Sequence, residues 1–465
     1  HGKALLTKRI AVVGAGAGGC VVAARLFDAG HEVHLFEAGA ASATNLSISL
    51  AATLSRDELF DPSVIASTYT GAERVPYPRG RALGGTTAVN ALVQMWGTRE
   101  DWDAWTSVHG CTGWNWQSVS GEMRTLGLPS YVPKDSDGGV VTAAVVEAAR
   151  KLGASRCTHT AETADGAGPV ALSIDGSRRA DAFEVFVAPR VRVATGRMVV
   201  HAGSAVQEVG IEAGWVSSVV LDDGTEHFVD GVVVAAGTVW SPVILRRSGI
   251  SRAGLGRNLK DHASLSLTFG GPAIDAAPQR DVDVTSLVVA STLSDSDVNL
   301  LPVDPAQLVV AVTKVSSVGH VIEVAEGVEV VLGTLTTEDD AARMIAALRL
   351  AADVHEEMSA RLPNLHLSVD DRGTPLATLL AHDDATVVSF VRRRPGPYSH
   401  AVGTCRMGVE SDHEAVVDVT GRVFGAVNLW VADASVFPDL PRAATQVPVM
   451  AVASRIARGV AERIG

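Results

Sequence analysis

Arg9-Ile10-Ala11-Val12-Val13-Gly14-Ala15-Gly16-Ala17-Gly18-Gly19-Cys20 is the stretch that decides the fold. Ile10–Val13 is a short apolar run that stops at glycine, as a strand buried in a parallel sheet does. From Gly18 to Asp28 the side chains are mostly small or aliphatic and no breaker intervenes, which predicts a helix lying close on a sheet. Gly30 ends that helix, and Glu32-Val33-His34-Leu35-Phe36 predicts a second strand that delivers Glu37. Strand, tight turn, helix and strand make a βαβ opening. Within it Gly14, Gly16 and Gly19 stand in G-x-G-x-x-G spacing. Gly14 permits the tight turn, Gly16 lets the backbone approach a pyrophosphate, and Gly19 lets the helix rest on the strand; the helix N-terminus faces the negative charge. Glu37, about 20 residues on, can accept hydrogen bonds from ribose hydroxyls and would repel a 2′-phosphate. This pattern serves FAD and NAD alike.

Further along, Val140–Leu152 and Glu338–Leu362 read as helices. Val284–Leu293, Gln307–Val315, Val321–Val324 and Val328–Leu335 are β-rich runs broken by Asp, Ser and Gly, and their succession predicts an antiparallel sheet. No internal repeat and no low-complexity linker is visible. The fold class is α/β: a Rossmann-like dinucleotide domain with an inserted substrate domain built on an antiparallel sheet flanked by helices. Residues 1–105, 196–265 and 395–465 are assigned to the first, and 106–195 and 266–394 to the second.

Composition agrees with that scale. At roughly 150 residues per domain, 465 residues suggest two or three domains. With 47% hydrophobic and 20% charged residues, a large core is possible and global disorder is not. Lys and Arg number 39 against 52 Asp and Glu, a net charge of −13, which argues against a nucleic-acid partner. No apolar run reaches the roughly 18 residues of a membrane span, and no basic-then-apolar leader is visible. The four cysteines (Cys20, Cys111, Cys157, Cys405) lack metal-type or disulfide-framework spacing, so no metal site is expected and a soluble, cytoplasmic setting is the expectation.

Five segments then decide the cofactor. Tyr77-Pro78-Arg79-Gly80-Arg81-Ala82-Leu83-Gly84-Gly85-Thr86-Thr87-Ala88-Val89-Asn90 resembles the first hallmark of the glucose–methanol–choline (GMC) oxidoreductases, which are FAD-dependent alcohol oxidases and dehydrogenases. Ala236-Gly237-Thr238-Val239-Trp240-Ser241-Pro242 through Ile250 resembles the second. Gly256-Arg257-Asn258-Leu259-Lys260-Asp261-His262 is similar to the family's G-x-N-L-x-D-H stretch, and His400-Ala401-Val402-Gly403-Thr404-Cys405-Arg406-Met407-Gly408 to the segment bearing its catalytic histidine. Val431-Ala432-Asp433-Ala434-Ser435 leads into Gln446-Val447-Pro448 and a terminal helix. The five stand in family order over nearly the whole chain; the middle, roughly residues 266–394, is not diagnostic.

The resemblance implies an FAD site made of Gly14, Gly16, Gly19, Glu37, Arg81, Gly85, Asn90, Val206, Asp433, Ala434 and Val447. Gly84-Gly85 can approach phosphate and flavin without side-chain clash, and Asn90 falls near the flavin's reactive edge. Some relatives carry a histidine just before this asparagine that tethers the flavin covalently. Val89 stands there, so noncovalent FAD is predicted.

Oxidation of an alcohol needs a base for the hydroxyl proton while the hydride moves to flavin N5, and a base titrating near working pH favours histidine. His400 takes that role by its motif; His262 reads as structural rather than catalytic. Relatives place a second Asn or His nine residues after the serine of the D-A-S segment; here that position is Ala444. A two-residue slip would bring Gln446 there but break the match at Gln446-Val447-Pro448. Tyr398, Ala444, Thr445 and Gln446 are the candidate substrate pocket. Only Ser251–Leu255 separates Ile250 from Gly256, and Gly39–Ser63 lacks the loops of larger relatives, as in a compact bacterial-type member. Sugar, glycoside or polyol hydroxyls are favoured as substrates, with aryl alcohols beside them, and oxygen or another electron acceptor as partner. A redox-silent hydroxynitrile-lyase-like relative, and a dehydrogenase passing electrons to a redox peptide or quinone, are the alternatives.

Overall fold

The computed structural model describes residues 7–40, 46–134, 137–158, 165–193, 196–277, 286–290, 297–303, 306–394, 396 and 398–464. The opening forms as its sequence dictates: β1 (Arg9–Val13), α1 (Ala17–Asp28) and β2 (Glu32–Glu37). Ile10, Ala11 and Val12 are fully buried: α1 packs on the sheet they enter, and strand Trp215–Leu221 of a separate three-stranded antiparallel sheet packs against its strand Gly231–Val234. Three strands from far along the chain complete that sheet: β3 (Met198–Ala202), β4 (Gly231–Val234) and β5 (Leu429–Val431). The order is β3-β2-β1-β4-β5, and every neighbouring pair is parallel. Strand order reverses between β1 and β4, so a crevice opens beyond their carboxyl ends, where open parallel sheets take their ligands. Helix α2 (Gly237–Arg247) follows β4, and the terminal helix α3 (Gln446–Arg463) packs against α1.

Close approach of backbone to backbone holds this corner. A Cβ on Gly19 would lie 1.8 Å from the Gly14 carbonyl oxygen, and one on Gly18 would lie 2.2 Å from that of Ala432. The first glycine seats α1 on β1, and the second seats it against the segment that follows β5.

A six-stranded antiparallel sheet makes the second large layer, in the order 366–368, 263–270, 307–312, 298–303, 286–290 and 166–169. Helices Val140–Lys151 and Glu338–Ser359 pack on it and on each other. Both helices lie where the sequence predicts them, the second ending three residues early. Residues 284, 285 and 291–293 of one expected strand, and 41–45 of the short stretch 39–63, lie outside the described residues.

The sequence predicts a further pair of strands in this antiparallel sheet, and the structure places them elsewhere. The runs at 321–324 and 328–335 do not join the antiparallel sheet. They form strands His320–Val324 and Gly327–Val331 of a separate four-stranded sheet, in which Gly327–Val331 runs parallel to Val64–Ser67. Their β-pattern states that they pair, but the partner lies more than 250 residues upstream, beyond what periodicity can identify.

Gly19→Ala should lower the stability of the protein by about 1–3 kcal/mol or more, since the obstructing Gly14 oxygen is backbone and cannot turn aside. Thermal unfolding with and without FAD checks this; an unchanged melting temperature in both would contradict the packing account.

Candidate active site

A single cavity of about 770 Å³ opens at the β1/β4 switch point and runs from Gly14 to His400. Of the residues singled out from sequence, Gly14, Gly16, Glu37, Arg81, Gly85, Asn90, Val206, Asp433, Ala434, Tyr398, His400, Ala444, Thr445 and Gln446 all line it. Gly19 and Val447 are buried beside it without lining it. Gly19 acts through the helix seating described above, and Val447 packs in the core within α3.

The nucleotide end is a cradle. Gly16 caps α1 with an extended backbone (φ −85°, ψ −162°) and no side-chain cap, so the helix's first N–H groups have no capping side chain. A Cβ on Gly16 would meet nothing within 4 Å. Packing therefore does not require this glycine; room for a ligand does. Gly85, in the left-handed region at φ +52°, folds over Gly16, where its own Cβ would come 2.7 Å from the Gly16 Cα. Gly84 N donates to Ala15 O at 2.9 Å, docking the first hallmark segment on the turn. Glu37 accepts from Ala15 N at 3.0 Å and Gly39 N at 2.9 Å. Burial pushes its carboxyl up to about 7 against the pull of those two amides. Asp433 is buried, with one oxygen accepting from Gly237 N (2.9 Å) and Ser241 Oγ (2.5 Å) and the other from Ser435 N (2.8 Å). Its carboxylate thus joins the second hallmark to the D-A-S segment. These groups fit a dinucleotide: an uncapped helix end for pyrophosphate, an open glycine above it, and a buried carboxylate for ribose.

At the far end, Asn90 Nδ2 donates to Gln446 Oε1 at 2.6 Å, and Gln446 Nε2 donates to Ser173 Oγ at 2.8 Å. Arg179 Nη1 donates to the Asn90 carbonyl at 2.6 Å. The amide of Gln446 is therefore engaged at both atoms. Ala444 packs with Leu92, Met95 and Leu301 in an apolar cluster. It is held from its N-terminal side by Arg442, whose Nε donates to Asp101 at 2.7 Å.

His400 stands against a buried polar group that the sequence did not reveal. Asp261 Oδ1 accepts from the backbone N–H of both His262 and His400, each at 2.8 Å, while Oδ2 accepts from Tyr77 Oη at 2.7 Å. Ser399, just before His400, sits in the left-handed region at φ +67°, and its carbonyl accepts from Arg79 Nη1 at 3.0 Å. The Tyr398 ring stands edge-on to His400 at 4.7 Å between centroids. Burial, His262 and Arg79 together hold the His400 imidazole well below its usual value, so it is a neutral base at neutral pH. Asp261, Tyr77, Arg79, Ser173 and Arg179 were missed because their partners are remote in sequence. Three of them stand in motifs already quoted, Tyr77 and Arg79 opening the first hallmark segment and Asp261 in the G-x-N-L-x-D-H stretch, and that placement was the available signal.

The GMC oxidoreductase family matches this chain over residues 10–264 and again over 325–453. The 5-(hydroxymethyl)furfural oxidase of Methylovorus sp. (strain MP688) is 29% identical, with 88% of each chain covered. The pyridoxine 4-oxidase of Microbacterium luteolum is 26% identical over 97% of this chain and 99% of its own. The crystal structure of pyridoxine 4-oxidase from Mesorbium loti superposes with a TM-score of 0.84 at 25% identity, covering 97% of this chain and 99% of that one.

Gly16→Ala should leave the melting temperature of the cofactor-free protein unchanged, because alanine fits that backbone and meets no neighbour, yet weaken FAD binding at least tenfold. Calorimetric titration of FAD into the apoprotein checks this. The same titration should show affinity rising with pH through about 7, since Glu37 is protonated below that value and ribose hydroxyls prefer the carboxylate. Glu37→Gln should flatten the profile; a slope unaltered by that change would remove Glu37 from the ribose site.

Proposed function

The chain belongs to the GMC oxidoreductase family, and from that membership we propose that it oxidises a primary alcohol carried on an aromatic or heteroaromatic ring, with noncovalent FAD and His400 as general base. It is an FAD-dependent oxidoreductase acting on CH–OH donors. The observation that carries the finer reading is one cavity in which the nucleotide cradle, a neutral imidazole and an apolar wall adjoin. Bound FAD supplies the acceptor for the hydride that leaves the carbinol carbon.

The chain's own residues do the rest. His400 takes the hydroxyl proton. The positive charge of Arg79 beside His400 favours the alkoxide that develops as that proton leaves. Leu92, Met95, Leu301 and Ala444 exclude water and offer a flat ring apolar contact, while the small Ala444 leaves room for it. Sugars and polyols, which the sequence favoured, need several free side-chain donors and acceptors. Gln446, the amide best placed for that, already bonds Asn90 and Ser173. The names of the two relatives, a hydroxymethylfurfural and a pyridoxine oxidase, support a hydroxymethyl group on a heteroaromatic ring. We assign the cofactor domain to 1–105, 196–265 and 395–465 and the substrate domain to 106–195 and 266–394; all five parallel strands fall in the first set.

Anaerobic mixing tests the reading. Hydroxymethylfurfural or a benzylic alcohol should bleach the flavin's visible band with at least tenfold higher kcat/KM than glucose or a polyol. The reverse order would restore the sugar assignment, and no bleaching by any alcohol would favour the lyase-like alternative. His400→Ala should keep FAD while reduction slows by about 10²–10⁴-fold, the usual contribution of a positioned base. Hydrogen peroxide release on aeration distinguishes an oxidase from a dehydrogenase using a redox peptide or quinone. Acid precipitation should leave the yellow colour in the supernatant, because Val89 offers the flavin no bond.

A further inference from the structure

The two histidines beside Asp261 are joined ring to ring. His262 Nδ1 lies 3.1 Å from His400 Nδ1, and His262 Nε2 lies 3.2 Å from the carbonyl oxygen of Pro441. A carbonyl oxygen only accepts, so His262 Nε2 carries a proton. In a neutral imidazole protonated at Nε2, Nδ1 is a lone pair and an acceptor. His400 Nδ1 must therefore donate to it, and the lone pair of His400 is left on Nε2. No partner for that nitrogen appears among the described residues, and His400 lines the cavity.

We infer that His262 is a positioning residue that fixes the tautomer of His400: the Pro441 carbonyl sets His262 as Nε2–H, and His262 sets His400 as Nδ1–H with Nε2 free to act as the base. The inference rests on the reading of His400 as that base. The chemistry balances: the hydroxyl O–H bond breaks, its proton bonds to His400 Nε2, and the proton on His400 Nδ1 stays there, donating to His262 Nδ1, as the His400 imidazolium forms. Without the lock, the tautomer protonated at Nε2 presents a donor to the alcohol and cannot take its proton.

The surroundings keep the assignment unique. An imidazolium at either ring would allow the reverse bond, but burial lowers His262 to about 4, and His400 is held lower than its usual range as well. The other charged or titratable groups around the pair are Asp261, Arg79, Tyr77 and Tyr398. Asp261 is spent on two backbone amides and Tyr77 Oη, so it contacts neither ring nitrogen. Tyr398 remains a neutral phenol, pushed up to about 12 by burial. The same Asp261 oxygen receives both histidine amides, which fixes the separation of the two rings.

Nitrogen NMR of holoenzyme labelled at histidine reads the tautomers directly. His400 should show a protonated Nδ1 and a bare Nε2, and His262 the opposite, with signals assigned by their loss in His400→Ala and His262→Gln. A His400 protonated at Nε2 overturns the inference, whatever the variants do. Kinetics give the second arm. His262→Leu should retain FAD while the pH-independent limit of flavin reduction falls on the order of 10- to 100-fold, as when a catalytic histidine takes the wrong tautomer. His262→Gln should recover most of that rate, because its amide can donate to Pro441 O and accept from His400 Nδ1–H. Equal losses in the two variants would show that His262 only fills space. Should His262→Leu fail to fold, the NMR arm decides alone. His400→Ala separates the two layers of argument: an undiminished reduction rate there removes the base, whereas the NMR tautomers report on the lock itself.

Discussion

Contact between bare backbones at the carboxyl ends of β1 and β4 is the constraint on which the rest depends. Gly18 and Gly19 bring α1 against the sheet at distances no side chain permits, and Gly85 lays the first hallmark segment across Gly16. Only then does the N-terminus of α1 face an open crevice instead of a wall of Cβ atoms. Gly16 differs from these neighbours. Its missing side chain is vacant space on the cavity side, so one turn contains glycines that packing requires and a glycine that it does not.

Buried carboxylates then join what the glycines bring near. Asp433 ties the turn after β4 to the segment after β5. Asp261 ties His262 and His400, which lie 138 residues apart, to Tyr77 from the first hallmark. Asp101 ties a helix start to Arg442, just ahead of Ala444. Asp101 is only half-buried, but Asp261 and Asp433 are costly to bury and therefore arrive fully bonded; burial raises their carboxyls above the usual range, and their donors pull them back. A half-satisfied group at any of these points would loosen two remote segments at once, so the site and the fold share the same fasteners.

This division explains what could be read from the sequence. The βαβ opening was legible because strand, turn, helix and Glu37 follow one another within a single unit whose spacing is set by local geometry. Helices 140–151 and 338–359 were legible by periodicity. The strands at 320–324 and 327–331 were visible as strands but not in their pairing, since Val64–Ser67 is chosen by tertiary packing. His400 was reached by resemblance, while Asp261 was quoted in its motif and given no role. A carboxylate beside histidine in sequence suggests a ring partner; only the structure shows that it bonds backbone amides instead.

That difference has a chemical consequence. A carboxylate bonded to an imidazole N–H stabilises the charged ring and raises its basicity, as in serine hydrolases. Here the ring's partner is a second neutral imidazole, and the Arg79 guanidinium, which lies over the Tyr77 ring at 4.1 Å, adds its positive charge against protonation. Burial, and after it these two neighbours, keep His400 a weaker base that is neutral at neutral pH. Such a base gives up driving force for removing a proton from an alcohol, so the deficit must be made up where negative charge develops. Arg79 has Nε and Nη2 buried without a protein partner among the described residues, and it is the cation available for that purpose. In the proposed reaction the site therefore divides the work: His400 would receive the proton in a fixed tautomer, and a neighbouring positive charge would favour the oxygen that loses it.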